Sequence, residues 1–191
     1  MHVGNLAKDS PSLYSNLNRY LKEDEVLKIT LAYALAAKHG ALNETGVVRL
    51  PKASFNPRPA RVAQILMTEL RDFNAETLSC AILGCARIED EIELPENLAY
   101  MKEQFQELKD SIKSPNEAPF SSPCEAALYA ILLDDVRHLH MTDFPIDFMK
   151  RKISHIQEIV ETKESYKENQ MLAEKIKHAL DKLKNFVQEN D

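Results

Sequence analysis

Apolar residues recur along this chain at the three- and four-residue spacing of amphipathic helices, and the alternation typical of β-strands is nearly absent. The spacing predicts helices at about residues 12–22, 24–39, 60–70, 74–88, 95–113, 122–140, 145–160 and 169–187. The pattern therefore predicts an all-α fold, a bundle of about eight helices joined by short connections.

Helix ends and loops are marked by their residue types. Asn74 is of a type that caps a helix N-terminus, and Gly40 is of the type that ends a helix. Residues 43–59 and 114–123 are rich in proline and predict loops. The last helix has near-heptad apolar spacing, which fits either packing on the domain or a homodimer.

The length of 191 residues predicts a single domain over residues 1–191. A chain of this length buries a core without support from disulfides or metal ions. We expect that core at about residues 24–188, preceded by a flexible start at residues 1–11.

Charge and composition narrow the class of partner. The formal net charge of −6 argues against general nucleic-acid binding. No apolar run approaches the roughly 20 residues of a membrane span, and the first residues lack the apolar stretch of a signal peptide. We therefore expect a cytoplasmic protein without membrane contact. Positive charge is concentrated at residues 47–71, with 5 basic residues and 1 acidic residue.

The three cysteines predict reduced thiols, because their number is odd and their spacing forms no disulfide framework. Cys80 and Cys85 stand in apolar surroundings and are expected in the core. A nucleophilic Cys85 beside His39 is the alternative, but a thiolate needs a base or a helix dipole to form.

Three stretches, taken in order, resemble a known family. They are LAYALAAKHGALNETG at residues 31–46, RPARVAQILMTELRDFNAETLSCAILGCARIED at 58–90, and SSPCEAALYAILLDDVRHLH at 121–140. Together they resemble the HD-domain phosphohydrolases, specifically the hydrolase domain of RelA/SpoT-type alarmone enzymes and their small stand-alone relatives. For an intact member the resemblance implies an HD-type helical bundle and metal-dependent pyrophosphohydrolysis of guanosine tetraphosphate (ppGpp).

The same resemblance identifies the metal ligands that this chain lacks. The family holds its ion with a His, a His-Asp pair and a distant Asp, which suit a divalent ion with a bound water. The matching positions here are Arg58, the pair Gly84 and Cys85, and Asp134. Of these, Asp134 alone keeps its type, and one carboxylate does not hold a catalytic ion.

Two further expectations follow from the missing ligands. The acidic pair of the family is matched by Glu89 and Asp90 about one residue late, and one residue turns a helical side chain by about 100°. We also expect the guanidinium of Arg58 to replace the metal ion and to pair with Asp134, since a buried carboxylate needs a partner.

The resulting hypothesis is a non-hydrolytic relative of the ppGpp hydrolases that serves as a binding or regulatory module. Its anion pocket would be formed by basic residues and would take a guanine nucleotide or another phosphorylated ligand. The candidate ligand-binding residues are Arg49, Lys52, Arg58 and Arg61. The alternative for this group is a solvated basic loop with Arg61 on the outer face of its helix.

Two other functions stay open. An active phosphohydrolase could hold Mn²⁺ in an altered shell of Asp134 and His138, joined by His39 or Glu89, because residues four apart share a helix face. Histidines near a helix C-terminus also interact favourably with the helix dipole, which needs no metal. The remaining possibility is a protein-interaction scaffold without a small ligand.

Overall fold

The computed structural model describes residues 4–42, 56–87, 91–113, 122–139, 144–162 and 170–190. Within these ranges the chain is helical and forms no strand, which confirms the all-α prediction. The α-helices of the described residues are α1 (Leu6–Asp9), α2 (Pro11–Tyr20), α3 (Glu23–Lys38), α4 (Arg58–Ile65), α5 (Ala75–Gly84), α6 (Lys102–Lys113), α7 (Ser122–Leu139), α8 (Ile146–Thr162) and α9 (Gln170–Glu189).

The helix ends that the sequence predicted are formed by the expected contacts. The Asn74 side chain accepts hydrogen bonds from the backbone N–H groups of Glu76 and Thr77 at 2.8 and 3.2 Å. Gly40 has a φ of 83°, and the two N–H groups after His39 turn back to the carbonyls of the last turn of α3. This Schellman arrangement requires the left-handed backbone that glycine adopts without strain.

Helices α5 and α7 form the centre of the bundle. All residues of α5 except Glu76 are buried, which is the pattern of a helix surrounded by other helices. Helix α5 packs against α3, α4, α6 and α7, and α7 in turn contacts α4, α8 and α9. Cys80 and Cys85 are buried in this core, as predicted.

The expected flexible start is instead packed from residue 4 onward. Asn5 caps the short helix α1 by accepting a hydrogen bond from the Lys8 backbone, and Leu6 is fully buried. The Ser10 hydroxyl donates to the Asn56 side chain at 2.8 Å. A single helical turn is too short to produce a periodic pattern, so the sequence signal at Leu6 was one apolar residue.

Helix α4 continues into a π-helical turn at Leu66–Leu70, where the periodicity had predicted regular helix. Arg71 ends this turn with a φ of 53°, an uncommon backbone conformation for a residue with a side chain. The wider turn changes the direction in which Glu69 points relative to an uninterrupted helix. Such turns often occur at functional sites.

Helix α9 packs on α7 and α8 through its near-heptad apolar face. This is one of the two outcomes that the heptad spacing allowed, and a homodimer stays a prediction. Across the described ranges, the helices are all too short or too polar to pass through a lipid bilayer.

Candidate functional site

A buried ion pair joins α4 to α7. The Arg61 guanidinium donates to both carboxylate oxygens of Asp134, Nε to Oδ1 at 2.9 Å and Nη2 to Oδ2 at 3.0 Å. Its third nitrogen, Nη1, donates to the Asn56 carbonyl at 2.9 Å. The exposed fractions of the two side chains are 13% for Arg61 and 1% for Asp134. This bidentate geometry fixes the position of α4 relative to α7 and also neutralises the carboxylate.

His138 lies one turn further along α7 and completes the surroundings of Asp134. Its Nδ1 is 3.1 Å from Oδ1 of Asp134 and 3.0 Å from the Asp134 carbonyl oxygen. Burial alone would raise the pKa of Asp134, but the hydrogen bonds of His138 and Arg61 lower it below its usual range. Asp134 is therefore ionised at neutral pH and held by protein groups.

A second ion pair lies beside the first. The Arg58 Nη2 donates to Oδ1 of Asp135 at 2.6 Å, and the Lys152 ammonium is 3.8 Å from Oδ2 of the same carboxylate. Burial acts to lower the pKa of Arg58, but the carboxylates of Asp135 and Asp134 outweigh it and raise that pKa. The Nε atom of Arg58 is buried without a hydrogen-bond partner in the part of the chain that the structure describes.

The expected pairing of Arg58 with Asp134 is wrong. Arg61 pairs with Asp134, and Arg58 pairs with the neighbouring Asp135. The placement of Arg61 on an outer, solvated helix face is wrong for the same reason, because this side chain points into the α4–α7 contact. Arg58 and Arg61 are three residues apart on α4, so both face α7. We call Arg58, Arg61, Asp134 and Asp135 the charge centre.

Gly84 and Cys85, which the sequence resemblance aligned with a His-Asp pair, lie in the packed end of α5. Burial, opposed in part by the charge of Arg58, raises the pKa of the Cys85 thiol to about 12. A thiolate nucleophile at this position is therefore disfavoured. A Cβ atom at Gly84 would lie 2.7 Å from side-chain carbons of both Leu108 and Ile131. This position is thus filled by the packing of α5 on α6 and α7.

Several candidate residues lie outside the described residues: Arg49, Lys52, Glu89 and Asp90. Their part in an anion pocket or an acidic pair stays a prediction. In the described ranges, no group of three or more His, Cys, Asp or Glu side chains is arranged to hold a metal ion. The Mn²⁺ shell of Asp134 and His138 thus lacks a third ligand in those ranges, His39 included.

A further ion-pair cluster, which the sequence did not indicate, lies outside the charge centre. In it, Glu69 of the π-helical turn connects α7 and α9. Both carboxylate oxygens of Glu69 accept from the Arg137 guanidinium, and Oε2 also accepts from the Lys175 ammonium at 3.0 Å. Burial acts to raise the pKa of Glu69, but the hydrogen bonds of Arg137 and Lys175 lower it overall. The sequence shows the regular spacing of basic residues along α9, but it does not show that Glu69, in the π-helical turn after α4, accepts hydrogen bonds from one of them.

A groove of about 470 Å³ runs between the end of α7 and the middle of α9, next to this cluster. Its polar lining consists of Arg137 and His138 from α7 and of Lys175, His178 and Lys182 from α9. We call these five side chains the basic groove. His138 also contacts Asp134, so the basic groove and the charge centre adjoin along α7.

Comparisons with known proteins give no relative from which a role could be carried over. No family model, curated protein or solved structure matches this chain. The resemblance to HD-domain phosphohydrolases therefore stays a prediction, and the site is interpreted from its own geometry.

Proposed function

We propose that this protein is a non-hydrolytic binding or regulatory module, built on an HD-like helical scaffold, whose ligand is a phosphorylated molecule such as a guanine nucleotide. The observation that carries this proposal is the pairing of Asp134 with Arg61, in which both carboxylate oxygens accept hydrogen bonds from one guanidinium. In the family that the sequence resembles, the matching carboxylate holds a divalent ion.

The chemistry of this pairing argues against metal-dependent hydrolysis. A divalent ion at Asp134 would have to displace the Arg61 guanidinium or lie beside its positive charge. Displacement would leave a largely buried arginine without its partner, a change that typically costs about 3–5 kcal/mol. The remaining expected ligand positions, Arg58, Gly84 and Cys85, offer a cation, no side chain and a thiol with a raised pKa.

Arg58 favours a binding module over a scaffold that takes no small ligand. Its side chain is 26% exposed, while its Nε donor is buried and has no acceptor among the described residues. A buried donor without an acceptor costs about 1–3 kcal/mol. A phosphate oxygen would meet the exposed part of this guanidinium, and would satisfy the buried Nε only if the side chain turned outward.

The test combines turnover with binding. Purified protein is incubated with guanosine tetraphosphate and Mn²⁺, and pyrophosphate release is measured. Thermal unfolding is then followed with the nucleotide alone. The proposal predicts no release above background and a rise in melting temperature without metal.

Mn²⁺-dependent release that disappears in Asp134→Asn would overturn the proposal and favour an active phosphohydrolase. Asp181→Asn is the control, because it removes an exposed carboxylate from α9. No release together with an unchanged melting temperature would favour the scaffold instead.

A further inference from the structure

The basic groove brings together basic side chains from two helices that are distant in sequence. On α9, Lys175, His178 and Lys182 follow the i, i+3, i+7 spacing of one helix face. On α7, Arg137 and His138 occupy the last turn and line the opposite wall. The packing of α9 on α7 makes these two sets face the same space.

The helix dipole does not account for this arrangement. Cations in the last turn of a helix are favourable because the C-terminus carries partial negative charge. That explanation covers Arg137 and His138, which end α7. It does not cover the three residues of α9, because they lie in the middle of a helix that spans Gln170–Glu189.

The groove has a volume in the range of small-molecule sites. Its volume of about 470 Å³ lies within the roughly 300–1,000 Å³ typical of such sites. Val136, Ala179 and Leu183 are the apolar residues of its lining. An apolar lining with a few convergent polar groups is the usual construction of a ligand pocket.

The charges of the groove are not balanced by its own lining. Glu69 contacts Arg137 and Lys175 from the side, but among the described residues no carboxylate lines the groove itself. The exposed acidic residues Glu174 and Asp181 are four and three residues from His178 on α9, so they flank the groove without lining it. In a chain with a formal net charge of −6, the formal cations of the lining, Arg137, Lys175 and Lys182, are a local concentration of positive charge.

We propose that the basic groove binds a ligand with two or more linked phosphate groups, contacted by Arg137, Lys175, His178 and Lys182. Glu69 acts as the internal acceptor that positions Arg137 and Lys175 while the groove is empty. Linked phosphates suit the groove because several donors from two walls can each meet a separate oxygen. This site is distinct from the charge centre, and the proposal does not depend on the loss of hydrolysis there.

Inorganic pyrophosphate is the probe, and its binding is measured by isothermal titration calorimetry. The ionic strength is kept low, and the NaCl concentration is the same in the protein and ligand solutions. We expect saturable binding with one site per chain. Lys182→Gln should raise the dissociation constant by roughly tenfold, the usual effect of losing one charge-assisted contact. The double variant Lys182→Gln/His178→Gln should raise it further. Both positions are exposed on α9, so the fold is expected to tolerate these changes.

Lys177→Gln is the matched control, because it removes the same charge from the opposite, exposed face of α9. Its dissociation constant should stay within about twofold of the wild type if the contacts are local rather than a general charge effect. Absence of saturable heat in the wild type would overturn the proposal, and so would equal weakening by Lys177→Gln and Lys182→Gln.

Glu69→Gln gives an independent readout. Removing this carboxylate charge frees Arg137 and Lys175, so the dissociation constant for pyrophosphate should fall severalfold. A rise would overturn the role given to Glu69. Displacement of pyrophosphate by guanosine tetraphosphate would support the site further, by showing that the groove also admits linked phosphates that carry a nucleoside. Asp134 and Arg61 are unchanged throughout, so failure here is separable from failure of the non-hydrolytic assignment.

Discussion

The two charged regions that meet along α7 differ in how their cations are satisfied. In the charge centre, two guanidinium groups pair with two carboxylates between packed helices, and Asp134 is almost completely buried. In the basic groove, the carboxylate of Glu69 pairs with Arg137 and Lys175, and the exposed fractions of these two side chains are 40% and 35%. The side chains of His178 and Lys182 are exposed.

This difference separates a structural role from a binding role. Matched, buried charges hold elements in register and are costly to break, whereas an excess of half-exposed cations contributes little to stability. The same excess attracts anionic ligands. We therefore expect substitutions of the buried pair Arg61 and Asp134 to change mainly stability, and substitutions in the basic groove to change mainly binding.

The largest effect is expected from Asp134→Asn. This change keeps the shape of the side chain but leaves the buried Arg61 charge without its counter-ion, and should lower the free energy of unfolding by about 3 kcal/mol or more. Urea denaturation followed by circular dichroism measures it. Asp135→Asn is the adjacent control and should cost less, because Asp135 and its partner Arg58 are more exposed. Equal losses for both variants would contradict the ranking.

Gly84→Ala tests whether the space at Gly84 in the centre of the bundle is closed by packing. Its Cβ would lie 2.7 Å from carbons of Leu108 and Ile131, so we expect a loss of about 1–3 kcal/mol in the free energy of unfolding. Ser79→Ala on the same helix is the control, because it removes a buried hydroxyl without a partner and should be neutral or stabilising. An unchanged stability of Gly84→Ala would show that the space is open.

Part of the loss of stability in acid should come from Asp134 in the charge centre. The folded-state pKa of Asp134 is lowered, so its contribution is present above the unfolded-state pKa and is lost as the pH falls through the folded-state pKa. The difference in unfolding free energy between wild type and Asp134→Asn should therefore shrink below about pH 4. Parallel urea titrations at pH 7 and pH 3 measure this, and a constant difference would argue against an ionised, paired Asp134.

The smallest effect on stability is expected in the basic groove. Lys182 is exposed, and Lys182→Gln should change the free energy of unfolding by no more than about 0.5 kcal/mol. The same variant should lose pyrophosphate affinity. If it instead lowered stability as much as Asp134→Asn, the division between a structural and a binding region would not hold.

Helix positions could be predicted from the sequence because they depend on local spacing and end residues. The cap at Asn74 and the stop at Gly40 needed no knowledge of distant contacts. The short helix α1 and the π-helical turn at Leu66–Leu70 were missed for physical reasons. The first is shorter than one apolar repeat, and the second has the same apolar spacing as the α-helix that it continues.

The charge centre could be predicted in composition but not in pairing. Arg58 and Arg61 face α7 together, and Asp134 and Asp135 are adjacent, so the crossing of α4 over α7 decides which guanidinium meets which carboxylate. The basic groove could not be predicted from the sequence for a related reason. Its α9 residues form an ordinary exposed stripe until α7 supplies Arg137 on the facing wall.

The most direct test of the account is a double-mutant cycle on Arg61 and Asp134. The free energies of unfolding of wild type, Arg61→Met, Asp134→Asn and the double variant are measured by urea denaturation. If Arg61 is the cation that neutralises Asp134, the double variant should be more stable than the sum of the single losses predicts, by roughly 2 kcal/mol. Losses that add to within about 0.5 kcal/mol would contradict that claim.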